Sequence, residues 1–99
     1  MLDYFVTLCY VTVMYEVRFT KKATKDIRRL PEKVRKILHT KLETIALDPY
    51  ATNNNIKALK SIEDAYRLRI GDYRVVYYLH DDDLIVEVVK AKHRSEVYK

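Results

Sequence analysis

The 99 residues, of which 48% are hydrophobic and 33% charged, fit one small globular domain and exclude a disordered chain. The formal net charge of +5 favours a polyanionic partner, nucleic acid first and an acidic protein second, although many small domains carry such a charge only for solubility. Cys9 is the only cysteine, which excludes an intrachain disulfide and a thiolate metal cluster and fits a reducing cytosol. The three histidines lack a ligand spacing such as HxxxH, so we expect neither a metal nor another cofactor.

Residues 1–13 are apolar and β-branched, but the positive charge that precedes the apolar part of a signal peptide is missing. The segment is also too short to span a bilayer, which takes about 20 residues. It is either a strand-like extension or sequence upstream of a working start at Met14. We expect the second, and therefore an N-terminal extension over 1–13, a domain over 14–99, no membrane association and a cytoplasmic location.

The elements begin with a strand over residues 15–19, where the side chains alternate in polarity. Thr20 is a good N-cap for a helix over 21–30, which Pro31 ends. A second helix follows, extends to about Leu47 and is ended by Asp48-Pro49. Two helices joined so closely predict an antiparallel hairpin. Their apolar stripes are Ala23, Ile27 and Leu30 in the first helix, and Val34, Ile37, Leu38, Leu42 and Ile45 in the second.

Residues 50–55 are polar and predict a loop. Residues 56–60 predict a short strand or a turn, and the rest of the chain predicts strands. Strands are predicted over 65–70, 73–79 and 84–92. The turns between them contain Gly71-Asp72 and Asp81-Asp82-Asp83. The predicted fold is α+β with the order βααβββ, an antiparallel sheet carrying the two-helix hairpin on one face and leaving the other face open.

Basic residues recur on the three predicted strands. Arg67 and Arg69 alternate with apolar residues and therefore share one face of their strand. Arg74 follows on the next strand, and the last strand ends in a cluster formed by Lys90, Lys92, His93 and Arg94. Guanidinium groups offer phosphate a planar fork of donors. The pattern indicates a basic open face for RNA, although a merely solvated strand face is common.

The tail KAKHRSEVYK holds Lys92, His93, Arg94 and Tyr98 within seven residues. Histidine transfers protons near neutral pH, and neighbouring cations favour the tyrosine anion. These groups suffice to cut RNA without metal, through attack of a ribose 2′-OH on the adjacent phosphodiester with arginine and lysine stabilising the charge. By itself such a basic tail is more often solvated surface.

Three segments carry a family resemblance: FTKKATKDIRRLP, AYRLRIGDYRVVYY and the closing HRSEVY. From Met14 to Tyr98 the chain resembles the RelE/ParE superfamily of bacterial toxins, and within it the RelE-like branch. The resemblance implies the toxin of a type II toxin–antitoxin pair, an endoribonuclease that enters the ribosomal A site and cuts mRNA there. It also implies a cognate antitoxin that masks the basic surface, and binding to operator DNA only as the toxin–antitoxin complex.

We assign RNA binding to four residues, three of them through the resemblance and Lys90 through the basic cluster alone. Arg67 and Arg69 fall where RelE-like toxins place two basic residues before the glycine turn. Lys92 falls where an arginine is frequent, so the charge is kept and the bidentate fork is lost. Lys90 belongs to the same basic cluster.

The resemblance also assigns four catalytic candidates. Arg74 matches the arginine that contacts the scissile phosphate, and Arg94 matches the arginine of the RSEVY tail. Tyr98 matches a tyrosine that stacks on the nucleotide and is implicated in proton transfer. His93 matches a histidine found in many relatives, while the glutamate or second histidine that acts as base in some branches has no counterpart. Two alternatives stay open: a ParE-like inhibitor of DNA gyrase, and a non-catalytic relative that binds only antitoxin or operator DNA.

Overall fold

The computed structural model describes residues 14–51 and 53–97. Residues 1–13, where we predicted an extension, and Tyr98, a predicted catalytic residue, lie outside the described residues. The elements in chain order are β1 (Glu16–Phe19), α1 (Lys21–Arg28), α2 (Glu32–Leu47), β2 (Ile56–Ala58), β3 (Ala65–Ile70), β4 (Tyr73–His80), β5 (Ile85–His93) and α3 (Arg94–Val97). The sequence predicted every long element, left β2 open as a strand or turn, and missed the four-residue α3.

Local chemistry explains the helix boundaries. The Thr20 hydroxyl oxygen accepts a hydrogen bond from the Ala23 amide at 3.1 Å, which confirms the predicted N-cap of α1. Pro31 is the N-cap of α2, where its missing N–H costs no helical hydrogen bond. Asp48, which precedes a proline, leaves the helical region and ends α2 as predicted.

The sheet has the order β1-β5-β4-β3-β2 and is mixed. Strands β2 to β5 are antiparallel, as predicted, but β1 joins the outer edge of β5 in parallel, with Glu16 opposite Ile85 and Phe19 opposite Val88. Alternating polarity fixes which face a strand buries, but neither its neighbour nor its direction. The prediction of a wholly antiparallel sheet is therefore corrected at one strand pair.

Both helices pack on one face of this sheet and share a single core with it. The completely buried side chains of the sheet are Leu68, Val75, Tyr77, Val86 and Val88. The helices and the turn between them add Ala23, Leu30, Leu38, Leu42 and Ile45, all from the predicted stripes. Ile37 is instead exposed, because it lies at the margin of the α2 stripe and Leu38 occupies the centre. No helix in the described part of the chain combines the length and hydropathy needed to cross a membrane.

Candidate nucleic-acid interface

Two strands place arginines side by side on the open face of the sheet. Leu68 and Ile70 of β3 are buried against the helices, so Arg67 and Arg69, which alternate with them, face the other way, as predicted. Arg69 is paired directly with Arg74 of β4. Like charges in directly opposed positions destabilise a sheet, so this pairing points to an anion that binds there.

A β-bulge changes the register of two lysines of β5. Val86 and Val88 are buried, and strict alternation would send Lys90 and Lys92 into the core with them. Tyr77 pairs with Val88 while the preceding residue of β4 pairs with Lys90, so Val89 is one extra residue in β5. The bulge inverts the phase of the strand, buries Ala91, and sets Lys90 opposite Val76 and Lys92 opposite Arg74.

The register therefore aligns cations in rows across the sheet. One row runs Arg69, Arg74, Lys92 across β3, β4 and β5. The neighbouring row contains Lys57, Arg67 and Lys90, with an apolar residue of β4 between the last two. A phosphate backbone laid over this half of the face would meet positive charge on four strands.

The β2–β3–β4 part of the face encloses an open cavity of about 360 Å³. Its lining is entirely polar or basic and comprises Asn54, Asn55, Lys57, Arg67, Arg69 and Arg74. Sequence reasoning missed Lys57 and the two asparagines. Lys57 was discoverable only through its pairing with Arg67, which depends on β2 being a strand.

Asn55 fixes the direction of Arg69. The Arg69 side chain donates from Nε and Nη2 to the Asn55 side-chain oxygen at 3.3 and 3.0 Å, and the two residues also share a backbone hydrogen bond of 2.8 Å. The Asn55 amide in turn donates to the side chain of Asn53. The loop before β2 thus holds the guanidinium in place before a ligand arrives, which lowers the entropic cost of binding.

Arg74 is anchored to the turn that precedes it. Its Nη1 donates to the carbonyl oxygens of Gly71 at 2.9 Å and Tyr73 at 3.1 Å. Gly71 has φ +57°, a left-handed conformation that glycine adopts without strain. The tight turn therefore presents two carbonyls that orient the guanidinium predicted to hold the scissile phosphate.

Lys92 has an acidic partner that sequence reasoning missed. Its Nζ lies 2.8 Å from Oδ1 of Asp26, a residue of α1 that is only 4% exposed. The pattern of α1 placed Asp26 next to Ile27 at the edge of the apolar stripe, without indicating burial. Lys92 is thus opposite Arg74 in the strand register, but its ammonium group is at Asp26 of α1 and does not line the cavity.

His93 ends β5 and Arg94 begins α3, and neither residue lines the cavity. His93 pairs with Tyr73, whose ring it meets edge-on at 5.3 Å, so its side chain leaves the sheet on the face opposite Arg74. Its Nδ1 accepts the Ser95 amide N–H at 3.2 Å. Arg94 donates its amide to the Asp72 carbonyl at 2.7 Å, and its Nε lies 3.8 Å from the Asp72 carboxylate. The structure therefore joins Arg67, Arg69 and Arg74, and does not join His93 to them.

The site offers hydrogen-bond donors and positive charge rather than metal ligands. Among residues 14–51 and 53–97, no three His, Cys, Asp or Glu side chains meet as a metal site. Guanidinium and ammonium groups in fixed positions can bind a phosphodiester and stabilise the extra charge of a pentacoordinate phosphorus.

Comparison with known proteins identifies the family. Residues 17–98 match the family model described as the ParE toxin of type II toxin–antitoxin systems. The mRNA interferase toxin RelE of Escherichia coli K12 is 34% identical over 88 residues, which cover 85% of this chain and 90% of that protein. The chain belongs to the RelE/ParE family of toxins.

Solved structures of the family agree with the fold. The isolated E. coli RelE toxin matches with a TM-score of 0.71 and 32% identity, over 85% of this chain and 90% of that one. A chain of the intact E. coli RelBE toxin–antitoxin complex matches with a TM-score of 0.70 and 28% identity, over 80% and 95% respectively. The RelE/ParE resemblance and the α+β fold predicted from the sequence are confirmed.

Proposed function

We propose that this chain is the toxin of a type II toxin–antitoxin pair and that it cleaves mRNA in the ribosomal A site without a metal ion. The observation that carries the proposal is the direct pairing of Arg69 with Arg74 at the cavity that Arg67 also lines. Directly opposed like charges destabilise the free protein, and a bound polyanion relieves their repulsion. The kinship with an mRNA interferase toxin supports RNA as that polyanion.

The proposed reaction is an internal phosphoryl transfer. A base removes the proton of a ribose 2′-OH, and its oxygen bonds to the adjacent phosphorus as the bond from phosphorus to the 5′-oxygen breaks. An acid donates a proton to the departing 5′-oxygen, so the products are a 2′,3′-cyclic phosphate and a 5′-hydroxyl. Arg74 holds the phosphate, Arg94 adds positive charge, and Tyr98 or His93 transfers the protons.

The proposed partners follow from charge and kinship. A cognate antitoxin would cover the basic face when the toxin is held inactive, as suggested by the match to a chain of the RelBE toxin–antitoxin complex. Ribosome and mRNA would replace the antitoxin on the active toxin, and operator DNA would bind only the toxin–antitoxin complex. Expression of the chain alone should arrest growth, and co-expression of its antitoxin should restore it.

The decisive experiment adds the purified full chain to a translating extract and maps mRNA ends by primer extension. Arg74→Ala should reduce cleavage by about a hundredfold or more, because it removes a donor to the charged phosphate. Arg18→Ala is the matched control, since Arg18 is an exposed arginine on β1 that contacts Glu16. Full cleavage by Arg74→Ala would show that the site assignment is wrong.

Inhibition of DNA gyrase is the second candidate, because the matching family model bears the ParE name. The same preparation should be tested in a gyrase supercoiling assay. Inhibition of supercoiling without new mRNA ends would replace the proposed nuclease with a gyrase inhibitor.

A further inference from the structure

Asp26 is a buried carboxylate that the proposed reaction does not use. Both of its oxygens are occupied: Oδ1 lies 2.8 Å from the Lys92 ammonium, and Oδ2 accepts the Ala91 amide N–H at 3.2 Å. A charge removed from water is costly unless it is paired and hydrogen-bonded. The two contacts meet both conditions and attach α1 to the end of β5.

These contacts lie where the sheet itself leaves β5 without a neighbour. The register between β1 and β5 ends at Phe19 and Val88, so the outer edge of β5 has no strand beside it from there on within the described chain. Asp26 supplies the acceptor that the Ala91 amide would otherwise lack. On the inner side of β5, Ala91 pairs with Val75 and Lys92 pairs with Arg74. The Asp26 carboxylate therefore holds in place the segment of β5 that lies beside Arg74.

The charge of Asp26 also acts on the basic row. Lys92 and Arg74 are directly opposed and repel each other. The fixed carboxylate attracts the Lys92 ammonium toward α1, and the lysine side chain is only 22% exposed as a result. Separating the pair would leave Asp26 as a buried charge without compensation, so Lys92 stays on Asp26 when RNA binds.

We propose that Asp26 is a positioning residue of the basic site, which fixes the end of β5 and the charge of Lys92 relative to Arg74. This inference rests on the proposed function and extends it. The Lys92 ammonium then stays with Asp26 and is not a mobile phosphate ligand. Asp26 acts through Lys92 and touches no substrate.

The test compares Asp26→Asn, Asp26→Glu and the wild-type chain in single-turnover cleavage of mRNA on programmed ribosomes, with rates corrected for the folded fraction. Asp26→Asn keeps an acceptor for Ala91 and loses the charge that holds Lys92. Its rate at saturating toxin should fall about tenfold or more, since small misplacements of reacting groups have effects of this size, while the half-saturating concentration stays near wild type. Asp26→Glu, which keeps the charge, should recover most of the rate. Glu43→Gln is the matched control because Glu43 pairs with His39 on the exposed face of α2.

A second readout is independent of activity. Backbone ¹⁵N order parameters for residues 91–97 should fall in Asp26→Asn toward values typical of flexible segments, while those of β3 stay unchanged. Wild-type cleavage by Asp26→Asn, or equal losses in Asp26→Asn and Asp26→Glu, would overturn the inference. If the wild-type chain cleaves no mRNA, the proposed function is wrong. In that case unchanged order parameters in Asp26→Asn would by themselves overturn the positioning role of Asp26.

Discussion

The basic residues of the open face are held by three different kinds of partner. Asn55 orients Arg69 through its side-chain oxygen, turn carbonyls orient Arg74, and the buried Asp26 orients Lys92. Each guanidinium or ammonium group is therefore directed before RNA arrives. A site prepared in this way loses less conformational entropy when it binds and can place charge where the transition state needs it.

Substitutions can distinguish whether Tyr98 or His93 transfers a proton. Tyr98→Phe keeps the ring for stacking and removes the hydroxyl, so cleavage should fall by about a hundredfold if Tyr98 transfers a proton. His93→Gln should stay close to wild type, because Nδ1 of His93 accepts the Ser95 amide and the side chain leaves the face opposite Arg74. Single-turnover cleavage on ribosomes checks both variants. Normal cleavage by Tyr98→Phe with a loss in His93→Gln would move proton transfer to His93.

The buried hydroxyl of Tyr77 should lower the stability of the fold. Its hydroxyl is completely buried and has no hydrogen-bond partner among the described residues, and burial raises the pKa of the phenol. A buried unsatisfied hydroxyl costs about 1 kcal/mol or more. Tyr77→Phe should therefore raise the free energy of unfolding by about 1 kcal/mol in urea titrations, with no change in cleavage. Tyr78→Phe, on the open face, is the matched control, and a destabilised Tyr77→Phe would reveal a partner for the hydroxyl.

At the scale of elements, the bulge in β5 and the turn before β4 together shape the site. The bulge at Val89 inverts the phase of β5 and sets Lys92 opposite Arg74. The turn at Gly71 brings Arg74 opposite Arg69 and offers the carbonyl to which Arg74 donates.

At the other end of β4, Tyr15 and Tyr50 donate hydrogen bonds to Asp81, and these bonds raise the pKa of both phenols.

Gly71→Ala tests the turn. An added Cβ would meet no atom within 4 Å, so the effect arises only from φ +57°, a left-handed conformation that is unfavourable for alanine. The substitution should lower the free energy of unfolding by about 1 kcal/mol. Cleavage should be retained, because the acceptor for Arg74 is a backbone carbonyl. Ser61→Ala, at an exposed turn position without positive φ, should leave stability unchanged in the same urea titration. Equal stability of Gly71→Ala and wild type would show that the turn relaxes.

For the whole molecule, charge is divided between the two ends of the sheet. The end beside the Gly71 turn carries the arginine and lysine rows, whereas the opposite end carries Asp81, Asp82 and Asp83 in the turn between β4 and β5. Close to this acidic turn, Nε2 of His80 lies 2.9 Å from Oε1 of Glu87, within hydrogen-bond distance. A polyanion should therefore approach from the Gly71 end, because the acidic end repels it.

The position at which the toxin domain begins can be tested by deletion. We propose that the toxin domain begins at Met14, since the family match begins at residue 17 and β1 begins at Glu16. A chain without residues 1–13 should keep the melting temperature and the toxicity of the full chain. Thermal unfolding and growth assays check this expectation. Insolubility of the shortened chain would mean that the segment contributes to the core.

Local sequence signals predicted the order of the long elements, the N-cap of α1, the end of α2 and the family. Thr20, Pro31 and Asp48 act on residues only a few positions away, and alternation over 65–70 shows which face carries Arg67 and Arg69. These signals are local, so they can be read from neighbouring residues. The RelE/ParE resemblance was equally readable, because its motifs are short contiguous segments.

The assembly of the candidate site depends on contacts between segments that are far apart in the chain. Asp26 and Ala91 are 65 positions apart, and nothing near either residue indicates that a carboxylate of α1 closes the open edge of β5. The extra residue at Val89 is defined by the register with β4, and the parallel partner of β1 by the edge that the other strands leave free. Pairing between distant segments depends on which edges and faces remain uncovered after the rest has packed, and a linear pattern does not contain that information.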